Sequence, residues 1–251
     1  MRQIEKMLQE ICADEGWTYA SAANGWLIAA GGSWIYGYHF GLNSASADRL
    51  CDDKAATYEI LSAADLPAVV HEFLLAEDIN EAALQQKLSA GNFVLKPNDG
   101  TGGRDVYKIE NAENLSSALT ELTKKYERLT ISPFEDIRTE YRVIVLDGNI
   151  ELLYAKRLTT DSDWKFNLGQ GARAEVILSA DKILEMLALS AMSTLQLRFA
   201  SVDIIETADG QRKILEVNSG VMMEKFSGLS AENYQRAKAI YKKAMKKALE
   251  I

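Results

Sequence analysis

The stretch ASVDIIETADGQRKILEVNS, residues 200–219, consists of two apolar runs that flank the pair Asp209 and Gly210. An Asp-Gly pair between two runs of this kind is among the strongest local signals for a β-hairpin. A two-residue turn at this pair fixes which side chains lie opposite one another on the two strands. The pairs expected from this turn are Glu206 with Lys213, Ile205 with Ile214, and Asp203 with Glu216.

The pairing of Asp203 with Glu216 brings two carboxylates together on one face of the predicted sheet. Like charges in directly opposite positions repel, so something must compensate them. Asn218 lies two residues beyond Glu216 and therefore on the same face. Two carboxylates and an amide oxygen are hard oxygen ligands of the kind that hold Mg²⁺ beside substrate phosphates. The sequence favours a metal site here, and the alternative is a solvated strand end with a different register.

A second stretch, NFVLKPNDGTGGRDVYKI at residues 92–109, places Lys96 and then a glycine-rich loop between two apolar runs. The ammonium of Lys96 offers a point charge, and the loop from Gly100 to Gly103 leaves backbone N–H groups free to close over phosphate oxygens. The loop is neither a Walker loop nor a dinucleotide fingerprint, because Asp105 occupies the third glycine position of the fingerprint and no Lys-Ser or Lys-Thr follows the glycines. Taken alone, the pattern fits a phosphate-binding loop or a flexible hairpin turn.

A further hairpin is predicted in YRVIVLDGNIELLYAKRL, residues 141–158, around a second Asp-Gly pair. Its strands carry the basic residues Arg142, Lys156 and Arg157. Because side chains alternate along a strand, Lys156 and Arg157 point to opposite faces unless a bulge intervenes. At most one of these two side chains can therefore enter the same cleft.

The composition is that of a globular protein, with 47% hydrophobic and 25% charged residues among 251. The charged start of the chain is unlike a signal peptide and no apolar run is long enough to span a membrane, so a cytoplasmic location is expected. The net charge of -8 argues against a general nucleic-acid surface. Cys12 and Cys51 are predicted to be reduced and structural, and His39 and His71 are assigned no role, because isolated histidines are usually packing residues.

Helix and strand patterns alternate along the chain. An amphipathic helix is predicted over residues 2–13, with short strands after it in a short amino-terminal region, residues 1–50. Residues 51–130 combine helices with the strands around the glycine-rich loop, and residues 131–251 contain the two hairpins and two helices. We therefore predict an α+β protein of two α/β lobes with antiparallel sheets.

Five motifs, in this order along the chain, resemble the ATP-grasp superfamily of carboxylate ligases. The branch that they resemble contains the ribosomal-protein glutamate ligases and the relatives of cyanophycin synthetase and glutathione synthetase. The motifs are CDDKAATYEILSAADLPA, FVLKPNDGTGGRDVYKI, ISPFEDIRTEYRVIVLDGNIELLYAKR, WKFNLGQGARAE and VDIIETADGQRKILEVNSG. The resemblance extends from Asp52 to Asn218 and implies an ATP-grasp fold, in which two lobes enclose a nucleotide cleft.

The resemblance also implies a role for individual residues. The implied contacts with the phosphates of ATP are Lys54, Lys96, Gly100, Thr101, Gly102 and Gly103. The implied contacts with adenine and ribose are Ser132, Phe134 and Glu140, and Lys156 is a further phosphate or nucleotide contact. The implied catalytic residues are Arg157, Asn167 and Lys96, and the choice between Arg142 and Arg157 as the main catalytic arginine stays open. The implied ligands of Mg²⁺, with Mn²⁺ as the alternative ion, are Asp203, Glu216 and Asn218.

The chain departs from the superfamily pattern after Asn218. Many peptide-forming relatives have a proline-glycine turn there, whereas this chain continues with Ser219, Gly220 and Val221. The resemblance therefore implies a pocket of unusual build for the amine.

The predicted function is an ATP-dependent ligase that joins a carboxylate to an amine through an acyl phosphate and releases ADP and phosphate. Its substrates are expected to be amino acids or peptides, and neither nucleic acid nor a membrane is an expected partner. The alternatives are a phosphotransferase without an amine step and an ATP-binding module without turnover. A homodimer that shares its cleft is a hypothesis based on the short amino-terminal region.

Overall fold

The computed structural model describes residues 1–158, 164–166, 168–179 and 181–250. The strands of this part form three sheets, in which every neighbouring pair of strands is antiparallel. The predicted α+β class is confirmed. The helices are α1 Gln3–Glu15, α2 Ala45–Asp52, α3 Lys54–Ala63, α4 Glu81–Ala90, α5 Ala112–Leu122, α6 Lys182–Thr194, α7 Glu224–Ser227 and α8 Ala231–Leu249. The strands are β1 Tyr19–Ala22, β2 Leu27–Ala30, β3 Ser33–Tyr36, β4 Glu72–Leu75, β5 Phe93–Pro97, β6 Tyr107–Ile109, β7 Arg128–Pro133, β8 Ile137–Leu146, β9 Asn149–Arg157, β10 Arg173–Val176, β11 Phe199–Thr207 and β12 Arg212–Asn218.

The amino-terminal sheet, β1-β2-β3, packs with α1 and α8 against the largest sheet. Ile4, Leu8 and Ile11 recur at helical spacing on α1 and are fully buried there. Their apolar cluster includes Ile144 and Tyr154 of the largest sheet. The amino-terminal region therefore shares a core with the predicted hairpins.

The largest sheet has the order β10-β9-β8-β11-β12 and is called the acid sheet below, because it carries Asp203 and Glu216. One end of one face packs on the amino-terminal region through Ile144 and Tyr154. The opposite face packs on α3 and α6 through side chains such as Val143. Arg142 on β8 pairs with Tyr154 on one side and with Asp203 on the other. Because side chains alternate along each strand, Arg142 and Asp203 lie on the same face as Ile144.

The hairpin of β11 and β12 differs from the predicted one at its turn. Ile204 pairs with Ile214, Ile205 with Lys213, and Glu206 with Arg212, so the predicted pairs Glu206–Lys213 and Ile205–Ile214 are wrong. The turn is longer than two residues, because the N–H of Thr207 donates to Gln211 O at 2.9 Å. A β-bulge between Asp203 and Ile204 then shifts the register by one residue. Asp203 pairs with Glu216, as predicted.

The third sheet, β4-β7-β5-β6, is called the glycine-loop sheet, because the glycine-rich loop joins β5 to β6. Leu95, Ile131 and Leu129 point from one face into an apolar cluster with α4 and α5. On β5 and β7 the intervening residues, Lys96 and Thr130, face the other way and pair with each other. That second face belongs to the candidate site.

A short connection ties the two larger sheets together. The segment between α3 and β4 lies beside β12, where Val69 N–H donates to Ile214 O and Ile214 N–H donates to Pro67 O, each at 2.8 Å. β4 then enters the glycine-loop sheet, so this sheet is anchored at the edge of the acid sheet. None of the helices in the described part of the chain is both long and apolar enough to cross a membrane.

Candidate active site

Asp203, Glu216 and Asn218 lie together on one face of the acid sheet. Asp203 pairs directly with Glu216 across β11 and β12. Asn218 Nδ2 lies 3.2 Å from Glu216 Oε1 and 3.4 Å from Asp203 Oδ2. The three side chains predicted to hold a metal therefore converge on one point.

Two cations of the same sheet face surround Asp203. Arg142 donates from Nε and Nη2 to the two carboxylate oxygens of Asp203, at 2.8 and 2.6 Å. This bidentate arrangement is the strongest geometry for such a pair. Lys156 Nζ lies 3.1 Å from Asp203 Oδ1 and also donates to Glu140. The repulsion between Asp203 and Glu216 is therefore offset by protein cations, and Arg142 is the arginine that the fold places in the acid cluster.

The four charges shift one another's pKa values in different directions. Burial opposes ionisation of Asp203, but Arg142 and Lys156 outweigh burial and hold the pKa of this carboxyl well below its usual range. Burial and Arg142 oppose the charged form of Lys156, but Asp203 and Glu140 outweigh them and raise the pKa of its ammonium. Burial raises the pKa of Glu140. Asp203 therefore stays ionised, while Glu140 is the more easily protonated of these two carboxyls.

Lys96 comes from the other sheet and faces this cluster. Its side chain is buried on β5, and burial lowers the pKa of its ammonium to about 8, although the negative charge of Glu216 acts in the opposite direction. The charges of Lys54 and Glu140 also act on the pKa of Lys96. Two sheets thus bring a buried ammonium and a set of carboxylates to the two sides of one cleft.

The glycine-rich loop is fixed at its base by α3. Lys54 Nζ donates to Gly100 O at 2.6 Å and to Asn98 O at 3.3 Å. Asn98 is fully buried, and its Oδ1 accepts a hydrogen bond of 3.1 Å from Ala55 N–H at the start of α3. Lys54 therefore holds the loop backbone, from a position next to the cleft.

Two positions further along the glycine-rich loop require glycine. Gly102 and Gly103 both have a φ of +70°, a conformation that side chains rarely adopt. The far end of the loop is held at Asp105, which accepts a hydrogen bond of 2.6 Å from the hydroxyl of Tyr126. Thr101 is exposed at the tip between these two anchors.

The cleft face of β7 carries buried hydroxyls. Thr130 and Ser132 are 0% and 3% exposed, and neither hydroxyl has a hydrogen-bond partner in the described part of the chain. Phe134 lies beyond the end of this strand. The centre of its ring is 4.1 Å from Lys108 Nζ and 5.6 Å from the centre of the Trp164 ring. The N–H of Phe134 already donates to Asn92 O, so a contact with adenine would use its ring or carbonyl oxygen.

One predicted catalytic residue, Arg157, does not join the cluster. Arg157 lies on the opposite face of β9 from Lys156, with Nε 3.1 Å from Glu175 Oε2 and Nη1 2.7 Å from Thr139 Oγ1. The alternation of side chains along the strand accounts for this separation, because no bulge interrupts β9 between the two residues. Asn167 lies outside the described residues.

His71 is a residue of the site that sequence analysis missed. It is 3% exposed, its Nδ1 lies 2.8 Å from Val69 O, and its Nε2 has no partner among the described residues. Burial, with Lys96 as the second cause, lowers its pKa well below the usual value, so the ring is neutral. Nothing in the sequence around His71 signals this position, because only the packing of β4 on β7 brings it to the cleft.

The oxygen ligands of the acid sheet fit Mg²⁺ by their chemistry. Among the described residues, no group of three His, Cys, Asp or Glu side chains is placed to hold a metal ion. A metal at this point must therefore use the amide oxygen of Asn218 together with Asp203 and Glu216.

Curated proteins similar to this chain are glutamate ligases by name. The chain is 36% identical over 154 residues to the tetrahydromethanopterin:alpha-L-glutamate ligase of Methanocaldococcus jannaschii, covering 58% of this chain and 51% of the relative. It is 26% identical over 186 residues to a probable alpha-L-glutamate ligase of Legionella pneumophila, covering 73% of this chain and 60% of the relative. The chain thus spans little more than half the length of these relatives.

Solved structures similar to this chain share its fold. The D-alanine–D-alanine ligase of Bacillus anthracis has a TM-score of 0.65 at 20% identity, over 83% of this chain and 69% of that one. The ATP-grasp ligase PsnB, complexed with minimal precursor, Mg and ADP, has a TM-score of 0.62 at 15% identity, over 94% and 93% of the two chains. The predicted ATP-grasp fold is confirmed. The family model of the RimK-like ATP-grasp domain matches residues 51–240, and the chain belongs to this family.

Proposed function

We propose that this protein is an ATP-dependent ligase that joins a carboxylate to an amine. The single observation that carries the proposal is that the buried ammonium of Lys96, on one sheet, lies within electrostatic reach of Glu216, which pairs with Asp203 on the other sheet. A phosphate chain needs cations on one side and metal-bound oxygens on the other, and this cleft supplies both. The names of the similar ligases support the same reaction class.

The chain's own residues fall into four groups in this proposal. Lys54, Lys96 and the loop residues Gly100, Thr101, Gly102 and Gly103 bind the phosphates, while Ser132, Phe134 and Glu140 bind adenine and ribose. Asp203, Glu216 and Asn218 would hold Mg²⁺, which neutralises phosphate charge when it is bound. Arg157 and Asn167 remain predicted contacts of the reacting group, and a homodimer and a cytoplasmic location remain predictions from sequence.

The charge network around Asp203 has a positioning role in this mechanism. Arg142 and Lys156 fix the Asp203 carboxylate from one side, so its orientation does not have to change when a ligand binds. Among the described residues no carboxylate forms an ion pair with Lys96, which leaves its charge available for phosphate. The loop between the anchors at Gly100 and Asp105 can close over the phosphates and exclude water from an acyl phosphate.

The function is tested with a pairwise panel of amino acids and short peptides, assayed for Mg-ATP-dependent phosphate release and for product mass. L-Glutamate belongs in every set, because the similar curated proteins are named glutamate ligases. We expect at least one pair to release phosphate and to give a product that has lost one water. Glu216→Gln should abolish this release, whereas Glu121→Gln, a change at a half-exposed side chain on α5, should not.

Other outcomes contradict the proposal. Phosphate that is retained on the product identifies a phosphotransferase. A rise in melting temperature with Mg-ATP, without phosphate release from any pair, identifies a binding module.

A further inference from the structure

His39 lies at the junction of the amino-terminal region and the acid sheet. It follows β3, and its Nδ1 lies 3.4 Å from Asp48 Oδ2 on α2, an ion-pair distance. The side chain is 36% exposed, so solvent and small molecules can reach it. Catalytic hydrogen bonds are often this long before a substrate binds.

The other nitrogen of His39 points at Gly220. A Cβ placed on Gly220 would lie 2.9 Å from His39 Nε2, so the imidazole occupies the space of the missing side chain. Gly220 is two residues beyond Asn218, the same step that separates Asn218 from Glu216. His39 therefore contacts the segment that directly follows β12 and the candidate ligand Asn218, where the chain departs from the proline-glycine turn of many peptide-forming relatives.

Asp48 is held firmly enough to orient this ring. Asn43 Nδ2 donates to Asp48 Oδ1 at 3.0 Å and to Phe199 O at 2.8 Å. The amide oxygen of Asn43 accepts hydrogen bonds from the N–H groups of Arg198 and Phe199, at 2.9 and 3.0 Å. Asp48 is thus tied to β11 through Asn43, and its second oxygen is left for His39.

The surroundings make the ring a stronger base than an ordinary histidine. The carboxylate of Asp48, at ion-pair distance from Nδ1, raises the pKa of His39, and burial opposes this only in part. The charged groups that act on the ring are Asp48 and Asp52, which raise the pKa, and Arg49, which lowers it. An imidazole that carries its proton on Nδ1, facing a carboxylate, presents a free lone pair on Nε2.

We propose that His39, oriented by Asp48, accepts the proton that the amine substrate loses when it attacks the activated carboxylate. This inference rests on the proposed function. The ammonium group of the amine gives one proton to Nε2, and the freed nitrogen lone pair forms the C–N bond. The C–O bond to the phosphate then breaks, its electron pair leaves with the phosphate, and the second nitrogen proton leaves on that phosphate. A base paired with an orienting acid is the usual arrangement for such a transfer.

The test compares two nucleophiles in wild type and His39→Gln. The first is the amino acid identified in the pairwise panel, which arrives as an ammonium ion, and the second is hydroxylamine, which is largely unprotonated at neutral pH and needs no base. We expect His39→Gln to slow amide formation by about 10²–10⁴-fold and to leave hydroxamate formation unchanged. In the variant, amide formation should follow the unprotonated fraction of the amine, so its rate should keep rising with pH up to the pKa of that amine, whereas the wild-type rate levels off once His39 has lost its proton.

Two further variants separate chemistry from structure. Asp48→Asn should also slow amide formation selectively, because asparagine no longer favours the tautomer with the proton on Nδ1. Glu59→Gln, a change at an exposed carboxylate on the neighbouring helix α3, is the matched surface control and should behave like wild type.

Each remaining outcome is decisive. Unchanged amide formation in His39→Gln overturns the inference, and so does an equal loss in both reactions together with a lower melting temperature, which identifies a structural tie. If wild type forms neither hydroxamate nor amide from any carboxylate of the panel, the proposed function fails, and the inference falls with it.

Discussion

The two sheets that face each other across the cleft treat their charged groups in opposite ways, although each also buries a hydroxyl without a partner in the described structure, Thr130 on one sheet and Ser201 on the other. On the acid sheet, Asp203 is bound by Arg142 and Lys156, and Lys156 is also bound to Glu140. On the glycine-loop sheet, the hydroxyl of the buried Thr130 has no partner in the described structure, and the ammonium of Lys96 lacks a hydrogen bond there.

The difference identifies which side of the cleft is prepared for a ligand. An unpartnered polar group in a protein interior costs free energy, typically about 1–3 kcal/mol. Such groups persist when a bound molecule supplies the missing partner. The acid sheet instead neutralises its charges internally, which holds Asp203 rigidly. The glycine-loop sheet is therefore the recognition side, and the acid sheet is the preorganised side.

The largest effect is expected from Asp203→Ala. This change leaves Arg142 and Lys156 buried without their main partner, and we expect the free energy of unfolding to fall by about 3–5 kcal/mol. Urea denaturation measures the change. Glu175→Ala removes an exposed partner of Arg157 and should cost less than about 1 kcal/mol. A similar small loss for Asp203→Ala would contradict the view that the acid sheet depends on internal pairing.

Lys96→Met is expected to act on binding and not on folding. The methionine keeps an apolar stem in place and removes the charge, so we expect the Kd for Mg-ADP to rise about 10–100-fold. Stability should stay constant or increase, because a buried ammonium is no longer required. Calorimetric titration and thermal unfolding give the two values, with Lys124→Met as the exposed control. An unchanged Kd would remove Lys96 from the phosphate site.

The lowered pKa of Lys96 predicts that nucleotide affinity falls and stability rises as the pH increases. The ammonium is charged below about pH 8 and loses its charge above it, so nucleotide affinity should fall about tenfold per pH unit there. The folded pKa lies below the unfolded value, so the penalty for burying the ammonium is relieved between about pH 8 and 10. Wild type should therefore gain stability relative to Lys96→Met over this range. Nucleotide titrations and unfolding experiments on both proteins at several pH values measure the affinity and the stability. A nucleotide affinity of wild type that does not change with pH would contradict the prediction.

The smallest effect is expected from Thr130→Val. Because the hydroxyl of Thr130 is buried without a partner, its replacement by a methyl group should stabilise the protein by about 1 kcal/mol. The same change should weaken nucleotide binding several-fold if the hydroxyl meets the ligand. Thr120→Val on α5 is a control for the hydroxyl itself, because Thr120 is exposed and donates to Ser116 O. A loss of stability in Thr130→Val would show that the glycine-loop sheet has an internal partner for this group.

The hairpin of β11 and β12 shows how far local sequence rules reach. The Asp-Gly signal correctly predicted a hairpin and the opposition of Asp203 and Glu216, but it predicted two neighbouring pairs wrongly. The longer turn shifts the register by one residue, and the bulge between Asp203 and Ile204 shifts it back. Short-range signals specify that a turn exists, whereas the bulge depends on how the strands twist against their neighbours.

The arginines show where local rules end. Alternation along β9 predicts that Lys156 and Arg157 point to opposite faces, and the structure agrees. Alternation does not predict which face meets the cleft, because that depends on which side the helices cover. The helix α6 covers the face that includes Val143, so Arg142 enters the acid cluster and Arg157 does not.

The sequence by itself determined the amino-terminal helix, the two Asp-Gly hairpins, the glycine-rich loop and the order of the motifs, because these depend on residues close together in the chain. The tertiary structure decided the rest: that Lys96 faces Glu216, that Arg142 binds Asp203, and that His39 reaches Gly220. Each of these contacts joins residues far apart in sequence. Their geometry follows from how whole sheets and helices bury their apolar faces, which no short stretch of sequence specifies.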